Sequence, residues 1–135
     1  MNISFVVEEK IDLEQMLQMA HHPRAGAVVL FSVEARNHHE GQAVESLEYE
    51  AHKELAEESI RQIMEDAKRK WPLHIALAQH RIGKVAISET AVVVITSASH
   101  RKEAYEANQY IIDRIKSETP IWKKEFFASG ENVWR

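Results

Sequence analysis

Two uninterrupted apolar runs constrain this chain more than any other feature: Gly26-Ala27-Val28-Val29-Leu30-Phe31 and Ala91-Val92-Val93-Val94-Ile95-Thr96. Runs this short with no polar alternation read as strands buried on both faces. Between them lies the strongest helix signal, Lys53–Lys70. There Leu55, Ala56, Ile60, Ile63, Met64 and Ala67 form a stripe at helical spacing, with charged residues opposite. Trp71-Pro72 stops that helix. A second helix is expected from about His100 to Lys116, capped by Ser99, with Ala104, Ala107, Tyr110, Ile111 and Ile115 inward. Asp12 is a plausible cap for a short helix carrying Leu13, Met16, Leu17 and Ala20.

Further strands are expected at Ile3–Val7, around Val44, Leu47 and Tyr49, where the spacing suggests a bulge, and at Ile75–Gln79. Ile121–Phe127, opened by Pro120, is the last strand-like run, followed by a turn at Ser129-Gly130 and by Val133-Trp134 at the end of the chain, while Asn37–Gly41 and His80–Gly83 read as a loop and a turn. Three helices interleaved with about six strands predict an α+β fold. At 135 residues, with ordinary proportions of apolar (44%) and charged (28%) side chains, residues 1–135 are expected to be a single domain.

The chain has no cysteine, which excludes disulfides, thiolate metal sites and a cysteine nucleophile. Its net charge of -4 argues against nucleic acid as a partner. No apolar stretch is long enough to cross a bilayer, and Met1-Asn2-Ile3-Ser4 lacks the basic region of a signal peptide. A soluble cytoplasmic protein is the expectation. The charge is uneven. Residues 1–70 hold 8 Lys and Arg against 14 Asp and Glu, whereas residues 71–135 hold 9 against 7. Cations in the second half could therefore converge on one anion.

Three places could carry chemistry. In Ser97-Ala98-Ser99-His100-Arg101 a strand feeds a helix whose first turn bears a His-Arg pair, where free N–H groups favour an anion. A surface pair bound to a nearby carboxylate explains those residues equally well. Lys116 falls where a cation complements the helix dipole. Lys123 lies between Ile121-Trp122 and Phe126-Phe127. Alternation puts it and Lys124 on opposite faces, one toward solvent and the other available to a pocket. A lysine desolvated there or held near other cations loses basicity and can act as nucleophile or base. Two exposed lysines on an edge strand is the plainer alternative. Arg36 follows the first buried strand and is placed to line a cleft. His21-His22 and His38-His39 lack the spacing of a helical metal pair, so no metal is expected. No glycine-rich phosphate loop occurs, since Gly26, Gly41, Gly83 and Gly130 are isolated.

In order and spacing these segments resemble the large, catalytic subunit family of molybdopterin synthase, from about Gly26 to Trp134. The resemblance is carried by Gly26–Phe31, Arg36, Leu47-Glu48-Tyr49-Glu50-Ala51, Trp71-Pro72 and His80-Arg81-Ile82-Gly83. It continues through Ser97–Arg101 and Pro120-Ile121-Trp122-Lys123-Lys124-Glu125. It implies an α/β hammerhead with an additional antiparallel β subdomain. It also implies sulfur transfer from the thiocarboxylated C-terminus of a small ubiquitin-like subunit to cyclic pyranopterin monophosphate, forming a dithiolene. A central homodimer within a heterotetramer is implied as well, with no cofactor. By the same resemblance Lys116 and Lys123 are catalytic. Glu34, Ala35, Arg36, His100, Arg101, Lys116, Lys123, Lys124 and Glu125 are expected to contact substrate, in a pocket that two copies could share. Val33 and Ala35 stand where the family usually has glycine and valine.

Overall fold

A computed structural model describes residues 3–135, so the reading of Met1 and Asn2 lies outside the described residues. The first sheet has the order β1-β5-β7-β2, formed by β1 (Val6–Val7), β2 (Ala27–Glu34), β5 (Leu73–Arg81) and β7 (Thr90–Ala98). Only β1 and β5 run parallel; the other pairs are antiparallel. The two apolar runs, Gly26–Phe31 and Ala91–Thr96, lie side by side, with Leu30 opposite Ile95. Every residue of β7 is buried, because both faces of the sheet are covered. On one side Val92 and Val94 meet Ile60, Ile63 and Ile111 from α2 (Lys53–Lys70) and α3 (Arg101–Glu118). On the other, Val93 and Ile95 join Ile11, Met16 and Ala20 at α1 (Leu13–Gln18). Each such Val, Ile or Met side chain is worth roughly 1.5–3 kcal/mol when fully buried.

A second, antiparallel sheet is built on β4 (Gln42–Ala51). One edge of β4 carries β3 (His38–His39) and β6 (Gly83–Ala86); the other carries β8 (Ile121–Phe127), followed by β9 (Asn132–Trp134). The bulge expected in β4 falls between Val44 and Ser46. Val44, Leu47, Tyr49, Val85 and Phe127 from this sheet close over the same core as α2 and α3. This is the α+β architecture with an added antiparallel sheet.

Local chemistry sets the boundaries. Asp12 caps α1 by accepting from the Gln15 N–H at 3.1 Å. The Ser99 hydroxyl does not cap α3. It is 2.9 Å from His74 Nε2 and donates to the Arg24 carbonyl at 3.4 Å, leaving His100 as the first residue of the helix boundary. The expected loop at Asn37–Gly41 is a hairpin, its tip formed by Glu40 and Gly41 at positive φ. His80-Arg81 is not a turn either. It ends β5, with the His80 N–H donating to the Phe5 carbonyl at 2.7 Å; Gly83 (φ 91°) opens β6, and the chain turns after it, where the Glu89 N–H donates to the Ala86 carbonyl at 3.0 Å.

Candidate active site

The two sheets and the end of α3 meet around a cavity of about 220 Å³. Its polar wall comes from Tyr49, His80, Lys116, Thr119, Lys123 and Arg135, and Val33, Val92, Ile115 and Ile121 supply the apolar part. These side chains arrive from separate elements. Lys116 sits in the last turn of α3 and Thr119 is its C-cap. Tyr49 faces Lys123 across the β4–β8 pair. His80 and Val33 lie opposite Val92 on either side of β7. Arg135 follows β9, and its N–H donates to the Lys123 carbonyl at 2.6 Å.

The end of α3 is fixed by a polar clamp near the middle of the helix. Buried Asn108 donates to the carbonyls of Val29 (3.1 Å) and Val94 (3.0 Å), tying α3 to β2 and β7. Thr96 Oγ1 donates to the Ala104 carbonyl at 2.6 Å. Two turns further on, Lys116 is carried to the cavity.

Lys123 is half-buried, and burial is the main cause that lowers its pKa. The positive charges of Lys116, Arg36 and Arg135 push the same way, and Glu125 opposes them. A larger share of this amine is therefore neutral than for a lysine in water. Glu125 is 3% exposed and is gripped by Arg135 Nε at 2.5 Å and His39 Nδ1 at 3.1 Å. Burial alone would raise its pKa, but the Arg135 hydrogen bond and the charges of Lys123 and His39 outweigh that and lower it. Tyr49 is pushed up to about 12, first by burial and then by Glu125.

The residues singled out in the sequence do not all meet in one chain. Lys116 and Lys123 share the cavity, and Arg36 acts on Lys123 through its charge. Glu125 lies beneath, on the same face of β8 as Lys123. Lys124 points the other way, with Nζ 5.3 Å from the Phe126 ring centre and 5.1 Å from that of Trp134. Ala35 is a core residue, 2% exposed, so its side chain cannot touch a substrate. Glu34 bonds Ser32 Oγ at 3.2 Å and lines a different groove, with Lys10, Asp12 and Glu89. His100 and Arg101 flank another hollow at the start of α3, beside Gly26 and Ala27. A Cβ on Gly26 would fall 2.5 Å from the Ser99 carbonyl oxygen, so only glycine allows β2 to start this close to α3. Arg101 and Lys116 are fifteen positions apart on the helix, about 22 Å along the axis. His80 and Arg135 line the cavity although the sequence marked one as a turn and did not mark the other. Among the described residues no group of three or more His, Asp or Glu is arranged to hold a metal ion.

Comparison with known proteins places this architecture. The profile of the MoaE protein family matches residues 6–118. The molybdopterin synthase catalytic subunit of Staphylococcus carnosus is 44% identical over 93% of this chain and 83% of its own length. That of Thermoplasma volcanium is 40% identical over 96% of this chain and 94% of its own. The crystal structure of molybdopterin synthase from Staphylococcus aureus superposes with a TM-score of 0.92 at 41% identity, covering 100% of this chain and 98% of that one. With a matched span running from β1 to the end of α3, and relatives this similar over nearly the whole length, the chain belongs to the MoaE protein family.

Proposed function

We propose that this chain is the catalytic subunit of a molybdopterin synthase and works as a sulfurtransferase. It takes sulfur from the C-terminal thiocarboxylate of a small ubiquitin-like carrier and installs it on cyclic pyranopterin monophosphate as a dithiolene. The observation that carries this reading is the convergence of Lys116 and Lys123, from α3 and β8, on one cavity, with Arg36 and Arg135 close enough to act on Lys123. Both reactants are anions, and fixed cations around a half-buried amine suit them. Lys123, the less basic amine, is the group nearest the reacting carbon, as proton shuttle or transient covalent partner. Lys116 orients the thiocarboxylate and stabilises charge developing on the acyl group. Arg36 binds the substrate's anionic part.

His100 and Arg101 serve the same pocket from a second copy of the chain. Support comes from β2, which among the described residues is the outer strand of its sheet with one edge unpaired. Antiparallel pairing of two such edges about a two-fold axis would set the Ala27 end of one strand beside the Glu34 end of the other. His100 and Arg101 of the partner subunit would then lie near Arg36, closing the gap that one chain leaves open. The described residues contain no helix long and apolar enough to cross a membrane. We assign the reaction to the cytoplasm, where a phosphorylated pterin and a small carrier protein both diffuse.

The test is reconstitution with thiocarboxylated carrier and cyclic pyranopterin monophosphate, followed by detection of the dithiolene product. Lys123→Ala should lower turnover by at least 100-fold, on the order expected for loss of an acid–base or covalent group, and leave carrier binding intact. Turnover and docking that both survive the substitution would remove Lys123 from the chemistry.

A further inference from the structure

His80-Arg81-Ile82-Gly83 is the motif for which sulfur transfer has so far needed no part. The His80 side chain is 5% exposed and forms part of the cavity wall beside Lys116. Its ring meets Tyr49 edge to face, with centroids 5.0 Å apart. Nδ1 lies 2.9 Å from the Arg81 carbonyl oxygen. A carbonyl only accepts, so Nδ1 carries the ring proton and Nε2 presents a bare lone pair. Burial, helped by the charge of Lys116, brings the pKa of His80 down to about 4 against the pull of the Arg81 carbonyl, which keeps the ring neutral. Among the described residues nothing else hydrogen-bonds to it.

The other polar groups around the cavity have a different character. Lys116, Lys123 and Arg135 only donate, the Tyr49 hydroxyl can donate as well as accept, and the Thr119 hydroxyl is engaged with Ser59 Oγ at 2.9 Å. An anionic ligand would satisfy the cations and leave Nε2 bare. His80 Nε2 is not one of the buried polar atoms left without a partner, so it opens onto the solvent of the cavity, and a ligand that displaces that water must supply a donor in its place or leave the acceptor unmet.

We propose that His80 Nε2 accepts the ring amide N–H of the substrate heterocycle and so makes the cavity selective for a pterin that presents a donor at that point. The identity of the heterocycle rests on the sulfur-transfer reading; the acceptor rests on the geometry of His80.

Two variants separate the ring's two nitrogens. His80→Asn retains a donor toward the Arg81 carbonyl but has nothing at the position of Nε2. His80→Gln reaches that position with a carbonyl oxygen. Calorimetric titration with cyclic pyranopterin monophosphate should give binding about tenfold weaker for His80→Asn, with most of the loss restored in His80→Gln. In turnover KM should rise by a similar factor while kcat stays within about twofold. A pterin methylated at its ring amide nitrogen should bind the unaltered protein about tenfold more weakly than the parent pterin, and this needs no variant. Equal binding by His80→Asn and wild type, a fall in kcat at constant KM, or indifference to the methyl group would each overturn the proposal. Failure of the wild type to bind the pterin or make dithiolene would instead sink the sulfur-transfer reading.

Discussion

Lys123 and His80 face one cavity, and burial lowers the pKa of both, yet the consequences for stability differ. A lysine whose pKa is lower folded than unfolded is held charged at a cost at neutral pH; the fold gains stability as pH climbs through the folded value toward 10.5. Lys123→Met should therefore stabilise the protein slightly at pH 7, the gain being limited by solvent screening of a half-buried group, while abolishing turnover. Thermal melting at pH 7 and at pH 10 should show the gain shrinking at the higher pH. For His80 the window lies lower. The unfolded chain takes up a proton near pH 6.5 and the folded chain only near 4, so stability falls as pH drops between them. The loss amounts to about 3 kcal/mol at most. Urea midpoints for the wild type should drop more steeply from pH 7 to 4.5 than those of His80→Asn, and parallel slopes would contradict this assignment. Of the two, only Lys123 could be marked from its neighbours, since alternation along β8 sends it and Lys124 apart. His80 gave no such signal because its position depends on pairing with Phe5, far away in sequence.

Among the elements, those with a local period were legible and those that depend on distant partners were not. The stripe from Ala56 to Ala67 defines α2 whatever surrounds it, and β7 is recognisable because its apolar run leaves no polar face. β3 and β6 are two and four residues long, too short for a pattern, and exist because β4 offers them an edge. The apolar period places the end of α3 to within a turn, but what holds the helix in register is Asn108, a polar residue within an otherwise apolar face. Its amide satisfies carbonyls on both β2 and β7. Asn108→Ala should cost about 1–2 kcal/mol, from the hydrogen bonds lost between α3 and the two strands. Because the clamp also places Lys116, the variant should lose turnover under conditions where circular dichroism still reports full helix. A stability change below about 0.5 kcal/mol would mean that apolar packing alone seats the helix.

At the scale of the whole molecule, the cations that the family resemblance assigns to one pocket lie at opposite ends of α3, with Lys116 near the cavity and His100 and Arg101 about 22 Å away. No rotation of side chains spans that distance. Either the His-Arg pair serves another purpose, or a second subunit supplies it. The sequence could list these residues but could not tell one chain from two, because a two-fold axis leaves no mark on a pattern read along a single chain. The unpaired edge of β2, with Phe31 43% exposed, offers an isologous contact of the right sense. Subunit mixing decides between the alternatives. Lys123→Ala chains and Arg101→Ala chains are each inactive as homodimers under the shared-pocket reading. In a mixed dimer the Arg101→Ala chain keeps its own Lys116 and Lys123 and receives an intact Arg101 from its neighbour, so one of the two pockets is whole. Equal mixing and random reassociation make about half of the dimers mixed, and about a quarter of the wild-type activity should return. If each chain instead used its own Arg101, every pocket in the mixture would carry a defect and activity would stay at the level of the parents. Phe31→Glu provides the complementary measurement. Placing a charge on the β2 edge should turn the dimer into a monomer by light scattering and remove turnover, although Lys116, Lys123 and their cavity belong entirely to one chain.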